Sequence, residues 1–273
     1  MVETILVATD GSEGAGAAES YAVTFCTRLP ARIAGITVLE DRDVRAPKDD
    51  GLALPAFPES DVAAYYRARA EASARRLSER GRNEGIDISC ESVQGVADDQ
   101  IAEKARGTTL LVLGRDGKGA TSRSALIGST VDGVIRKSSG STLVVPTGAT
   151  PSGPVVLAFD GSPGSRVAAA LAVEIAGGLG EAIHVFVDSK DKGRAVARFE
   201  EVRRLVSGLS VPVRETSSTL GRPDVKIVDT AREARGALIV MGAYGRNRIT
   251  DCFLGSNAAA VVRTSPVAVL LAR

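Results

Sequence analysis

Glycine and serine residues in the last third of the chain have the types and spacing of an anion-binding loop. Gly242 and Gly245 follow an apolar run, and Gly255-Ser256-Asn257 comes after nine further residues. Glycine has no side chain, so its backbone can approach a polyphosphate closely, and successive N–H groups can enclose an anion. A serine that begins a helix adds a hydroxyl, free N–H groups and the positive end of the helix dipole. The pattern therefore predicts a phosphate-binding site, the alternative being a tight turn followed by an ordinary helix cap.

A second, less regular copy of the pattern lies near the middle of the chain. Its members are Gly114, Gly117, Gly128, Ser129 and Thr130. Here ten residues, not nine, separate the second glycine from the third, and the extra residue either fits into the loop or spoils the site. Basic residues near the two loops could reach phosphate oxygens or be solvated surface charges; they are Arg115, Lys118, Arg123, Arg246 and Arg248.

Both copies belong to an internal duplication of the sequence. Asp10-Gly-Ser, at the end of an apolar run, returns as Asp160-Gly-Ser, and three further blocks recur in the same order. Such a repeat indicates two copies of one structural unit. The turn-forming residues 147–153 suggest the linker, which predicts domains at residues 1–147 and 154–273.

Apolar runs alternate with helical patterns in each half. In the first half we predict helices at residues 14–29, 61–84, 98–105 and 130–138. Such alternation predicts an α/β fold with two tandem Rossmann-like domains, each a five-stranded parallel sheet flanked by helices. Ligands bind such sheets beyond the carboxyl ends of the strands, where the glycine loops lie. The insertion at residues 41–60 is either a surface loop tolerant of length change or a lid.

Composition argues against several classes of protein. The chain has 34 basic and 33 acidic residues, with no dense basic block, so nucleic-acid binding is not expected. Three cysteines suit a reducing cytoplasm, and no apolar run is long enough for a membrane span. The single histidine, His184, lies within an apolar run, and no catalytic residues or metal ligands are predicted.

The repeated motifs resemble the universal stress protein family, in its ATP-binding branch, over essentially the whole chain and twice. That resemblance implies an adenine-nucleotide alpha-hydrolase-like fold that binds ATP, with Mg²⁺ carried by the phosphates. It also implies that Asp10 and Asp160 meet the adenosine end, and that Val38 and Val187 present backbone to the base. Both aspartates could instead form local turns, and both valines could belong to the strand core.

The resemblance implies a nucleotide-dependent stress-response regulator that acts on an unidentified protein partner. The alternatives are a slow ATPase or nucleotidyl-transfer enzyme, or an interaction module that binds no nucleotide. Because family members dimerise through their last strand, Ser141–Val145 and Val267–Leu271 are expected to pair within this chain as a pseudo-dimer. Further homodimerisation is a separate expectation.

Overall fold

The computed structural model describes residues 1–40, 59–117, 127–208, 210–219, 221–244 and 254–273. Within these ranges, ten strands alternate with eight helices. The strands are β1 (Thr4–Ala8), β2 (Arg32–Leu39), β3 (Ser89–Gln94), β4 (Leu110–Gly114), β5 (Ser141–Val145), β6 (Val155–Ala158), β7 (Ile183–Asp188), β8 (Val213–Ser218), β9 (Leu238–Gly242) and β10 (Ala268–Ala272). The helices are α1 (Glu13–Arg28), α2 (Glu59–Asn83), α3 (Ala97–Lys104), α4 (Ser129–Lys137), α5 (Pro163–Leu179), α6 (Lys192–Val206), α7 (Pro223–Glu233) and α8 (Ser256–Thr264). All four helices predicted in the first half are present, and most of the 41–60 insertion lies outside the described residues.

All ten strands form one sheet, in the order β3-β2-β1-β4-β5-β10-β9-β6-β7-β8. Each half contributes five parallel strands, and the two halves meet where β5 and β10 pair antiparallel. Leu143 lies opposite Leu270 at this seam, and both side chains are fully buried. The predicted pairing of the two last strands within one chain is therefore confirmed.

Both faces of the sheet are covered, which explains the nearly continuous apolar strands at its centre. Helices α1, α2, α5 and α6 pack on one face, and α3, α4, α7 and α8 pack on the other. Each hydrophobic core includes residues from both halves of the chain. The edge strands β3 and β8 are mostly exposed and rich in polar residues, which disfavours pairing with further strands.

Tyr21 on α1 connects the two halves by a buried polar contact. Its hydroxyl oxygen lies 2.6 Å from the carbonyl oxygen of Thr150, between β5 and β6, and 2.6 Å from that of Ala237 before β9. Burial raises the pKa of the Tyr21 phenol, so the hydroxyl keeps its proton as a donor. Among the described residues, no helix has the length and apolar character needed to span a bilayer.

Candidate functional site

A cleft of about 820 Å³ opens at the carboxyl ends of β6, β7 and β9. This is the edge of a parallel sheet where ligands bind in α/β folds. Five of the predicted site residues line this cleft: Asp160, Gly242, Gly255, Ser256 and Asn257. The cleft therefore brings together the β6 turn, the end of β9 and the start of α8, as expected from the order of the motifs.

The Asp-Gly-Ser segment after β6 is a compact turn that begins α5. The Asp160 carboxylate accepts a hydrogen bond from the Ser162 amide at 3.0 Å, and Gly161 has a φ of 75°. The Ser162 hydroxyl then accepts a hydrogen bond from the Ser165 amide at 3.2 Å and caps the helix. Asp160 thus forms the local turn considered as an alternative, and it also lines the cleft, so the two interpretations are compatible.

The same turn follows β1 in the first half. The Asp10 carboxylate accepts a hydrogen bond from the Ser12 amide at 2.9 Å. Gly11 has a φ of 81°, and the Ser12 hydroxyl caps α1. A Cβ atom added at Gly117 would lie 3.8 Å from an Asp10 carboxylate oxygen, so the first half also brings its aspartate close to its glycine loop. Most of the loop between Gly117 and Gly128 lies outside the described residues.

The first glycine of each loop is required by packing. A Cβ atom added at Gly242 would lie 2.9 Å from the carbonyl carbon of Gly164, where α5 begins. A Cβ atom added at its counterpart Gly114 would lie only 2.5 Å from the carbonyl carbon of Gly14 on α1. Neither Gly114 nor Gly242 has a positive φ, so close approach of a helix explains them without any ligand. Gly245 lies outside the described residues.

The amino terminus of α8 opens on the cleft without a side-chain cap. Gly255 is its N-cap, with a φ of −57° and a ψ of 141°, and among the described residues no side-chain cap closes the helix. Ser256 and Asn257 are exposed and line the cleft. Because the first amides of a helix have no partner within it, they are available to an anion there. Helix α4 begins in the same way after Gly128, with Ser129 and Thr130 in its first turn.

Arg115, a candidate for phosphate contact, binds protein groups instead. Its Nη1 atom donates to the carbonyl oxygen of Ser265 at 2.7 Å and to that of Val262 at 3.3 Å, both at the carboxyl end of α8. Its Nε atom donates to Asp116 at 3.1 Å. Burial alone would raise the pKa of Asp116, but hydrogen bonds from Arg115 and Thr147 outweigh it and hold the pKa below its ordinary value. Arg115 therefore joins the two halves.

Sheet register gives Val38 a different counterpart from the predicted one. Ala8 lies opposite Ile36 on β2, and Ala158 lies opposite Phe186 on β7, so Val38 corresponds to Asp188. The Val187 side chain is fully buried in the core on the face of the sheet that α1, α2, α5 and α6 cover. Its proposed contact was through the backbone, so that prediction stands untested. The spacing that relates Asp10 to Asp160 would have identified the pair from sequence.

Asp188 and three cations are cleft residues that sequence reasoning missed. One Asp188 carboxylate oxygen is buried and has no hydrogen-bond partner among the described residues. Lys190, Arg194 and Arg198 lie on the same side of the cleft, at the end of β7 and along α6. Arg194 and Arg198 are one helical turn apart, but no glycine signature marks this helix, so no local pattern in the sequence indicates a site here.

Comparison with known proteins identifies the family. A universal stress protein of Mycolicibacterium smegmatis is 28% identical over 212 residues, covering 71% of this chain and 71% of its own. One from Mycobacterium tuberculosis is 29% identical over 225 residues, covering 73% of this chain and 69% of its own. The fold matches that of a universal stress protein from Archaeoglobus fulgidus with a TM-score of 0.77 and 21% identity, over 100% of this chain and 99% of that one. The family model described as the universal stress protein family matches residues 1–146 and 152–273. The chain therefore belongs to the universal stress protein family.

Proposed function

We propose that this protein is an ATP-binding regulator that holds the nucleotide in the second-half cleft. The observation that carries the proposal is the amino terminus of α8, which opens on the cleft without a side-chain cap. Free amide groups and the positive end of the helix dipole bind phosphate oxygens without any further charge. The triphosphate would therefore lie against Gly255, Ser256 and Asn257.

The remaining cleft residues fit a nucleoside. A cleft of about 820 Å³ is within the range of about 300–1,000 Å³ that is usual for small-molecule sites. Asp160 supplies a carboxylate for the adenosine end, where it would accept a hydrogen bond from a ribose hydroxyl. Phe186, Ile227 and Met241 supply apolar surface for a base. Mg²⁺ would be bound by the phosphates themselves.

Regulation would follow from different ATP affinities of two conformations. A ligand shifts a conformational equilibrium only as far as its affinities for the two states differ. ATP that contacts β6, β9 and α8 at once would favour the arrangement in which these elements are closed together. The partner protein would then bind that arrangement preferentially. Slow hydrolysis or release of ATP would return the chain to the other conformation.

The first experiment measures the nucleotide content of the purified full chain. The protein is denatured, and the released small molecules are identified by mass spectrometry, while a second sample is titrated with ATP in a calorimeter. We expect ATP either to be released or to be taken up at about one equivalent or more. A chain that releases no nucleotide and takes up no ATP would instead support an interaction module without nucleotide.

A charge substitution then locates the site. Ser256→Glu adds a negative charge in the first turn of α8, where it favours the helix but repels a phosphate. We expect ATP binding in the second half to weaken by about tenfold or more. Ser129→Glu makes the same change at the start of α4 and tests the first-half site separately. If Ser256→Glu binds ATP as tightly as the unchanged chain, the phosphates do not lie at this helix.

A further inference from the structure

Arg198 is a buried cation that forms no ion pair among the described residues. Its exposed fraction is 7%, and it lines the second-half cleft. Its Nη1 atom donates to the backbone carbonyl oxygen of Asp188 at 2.9 Å. In the part of the chain that the structure describes, the ion pairs of α6 involve Glu201 and Arg203, and none includes Arg198. Charges of this kind are rarely buried unless a partner neutralises them.

The first half has an arginine in the corresponding place, and there the charge is neutralised. A Cβ atom added at Gly11 would lie 3.9 Å from Nη1 of Arg76, and one added at Gly161 would lie 3.8 Å from Nε of Arg198. The two guanidinium groups therefore approach equivalent turns. Arg76, however, donates to the carboxylate of the fully buried Glu19, at 2.5 Å from Nη2 and 3.2 Å from Nε.

The second half lacks both members of the polar pair that receives Arg76. Glu19 on α1 corresponds to Ala169 on α5, because the two helices follow equivalent Asp-Gly-Ser turns. Thr9, whose hydroxyl donates to Glu19 at 2.6 Å, corresponds to Phe159, which is buried. The carboxylate and its hydroxyl partner are thus replaced together by apolar groups, and this leaves the guanidinium of Arg198 at the cleft.

We propose that Arg198 is an anion-binding residue of the second-half cleft and contacts a phosphate of the bound nucleotide, an inference that rests on the proposed function. The cleft also has three carboxylates, those of Asp160, Asp188 and Asp191, but no ion pair among the described residues joins any of them to Arg198. Lys190 and Arg194 add positive charge on the same side. The first half would bind anions more weakly, since Glu19 already neutralises its arginine.

The test compares three ligands on the full chain by calorimetry: ATP, adenosine and inorganic tripolyphosphate. Arg198→Gln should weaken ATP binding by about 10- to 100-fold, the usual effect of losing a charge-assisted hydrogen bond. Adenosine should bind unchanged, since it has no phosphate. Arg198→Lys should retain part of the ATP affinity. Arg204→Gln, the same charge change at an exposed position of α6, is the matched control.

A second variant transfers the neutralising pair of the first half. Phe159→Thr with Ala169→Glu supplies the hydroxyl and the carboxylate that Arg76 has, and should weaken ATP binding while adenosine binding persists. A folded double variant with full ATP affinity would contradict the inference.

Each outcome separates this inference from the proposed function. ATP bound equally well by the unchanged chain and by Arg198→Gln would overturn the role of Arg198 and leave the proposed function standing. Equal loss of ATP and adenosine would also overturn it, because Arg198 would then only support the end of β7. Tripolyphosphate that binds through Arg198, in a chain that binds no ATP, would support the anion site and refute the ATP proposal. A chain that binds neither ATP nor tripolyphosphate would refute both the role of Arg198 and the proposed function.

Discussion

Replacing Glu19 with glutamine removes a fully buried negative charge with little change in side-chain size. The carboxylate accepts hydrogen bonds from the Thr9 hydroxyl at 2.6 Å and from Arg76, and lies 3.5 Å from Nε of Arg80. Two guanidinium groups and one hydroxyl therefore converge on one side chain that water does not reach. Glutamine can keep the hydrogen bond from Thr9, but it cannot neutralise either arginine.

The size of the effect follows from the burial of the partners. Breaking a buried ion pair by removing one charge costs about 3–5 kcal/mol. Arg76 and Arg80 have exposed side-chain fractions of 38% and 37%, so water can recover part of their solvation. We therefore expect Glu19→Gln to lower the free energy of unfolding by about 2–3 kcal/mol. Urea unfolding followed by circular dichroism measures this difference.

Glu71→Gln is the matched control. Glu71 pairs with Arg75 one turn along α2, and both side chains are about two-thirds exposed, at 64% and 65%. Such a surface pair contributes about 0.3–0.5 kcal/mol. If Glu19→Gln costs no more than Glu71→Gln, the guanidinium groups of Arg76 and Arg80 do not need the carboxylate of Glu19. The absence of an ion pair at Arg198 would then be weaker support for a ligand.

Three further predictions concern other buried polar groups. Tyr21→Phe should lower the free energy of unfolding by about 1–2 kcal/mol, because the buried carbonyl of Ala237 loses its donor; an unchanged urea midpoint would contradict this. Asp188→Val removes a buried carboxylate oxygen that has no partner and should stabilise the ligand-free chain by about 1 kcal/mol, whereas a loss in the same urea assay would reveal a partner. Burial, helped by the charge of Arg214, lowers the pKa of His184, so the unfolded chain binds the proton first. Stability should consequently fall as pH drops below about 6.5, and His184→Gln should remove that loss relative to the unchanged chain.

The fold could be predicted from sequence because its signals are local. Each Asp-Gly-Ser segment contains its own turn: the aspartate accepts an amide two residues on, the glycine takes the positive φ, and the serine caps the helix. Apolar runs of strand length between helical patterns then define a covered parallel sheet. The duplication supplied the second half without further information.

Parts of the site could not be predicted because they depend on contacts between distant elements. In the sequence, Gly242 has the pattern of a loop glycine, but in the structure the close approach of Gly164 on α5 excludes a side chain there. Arg198 reads as an ordinary helix cation, since its significance depends on what Phe159 and Ala169 have replaced. Aligning the two Asp-Gly-Ser turns reveals that replacement, but only the structure shows that Arg76 and Arg198 approach these turns.

Arg115 shows how the first half can serve a site in the second. Its guanidinium binds the last carbonyl oxygens of α8, the helix whose other end opens on the cleft. A cation at the carboxyl end of a helix interacts favourably with the helix dipole and stabilises the helix, as an anion does at the amino end. Arg115 and a bound phosphate would therefore stabilise α8 from opposite ends, although they lie in different halves. The Arg115 amide donates to the carbonyl oxygen of Val145 on β5 at 2.7 Å, so the first half positions this contact with α8 whether or not it binds nucleotide.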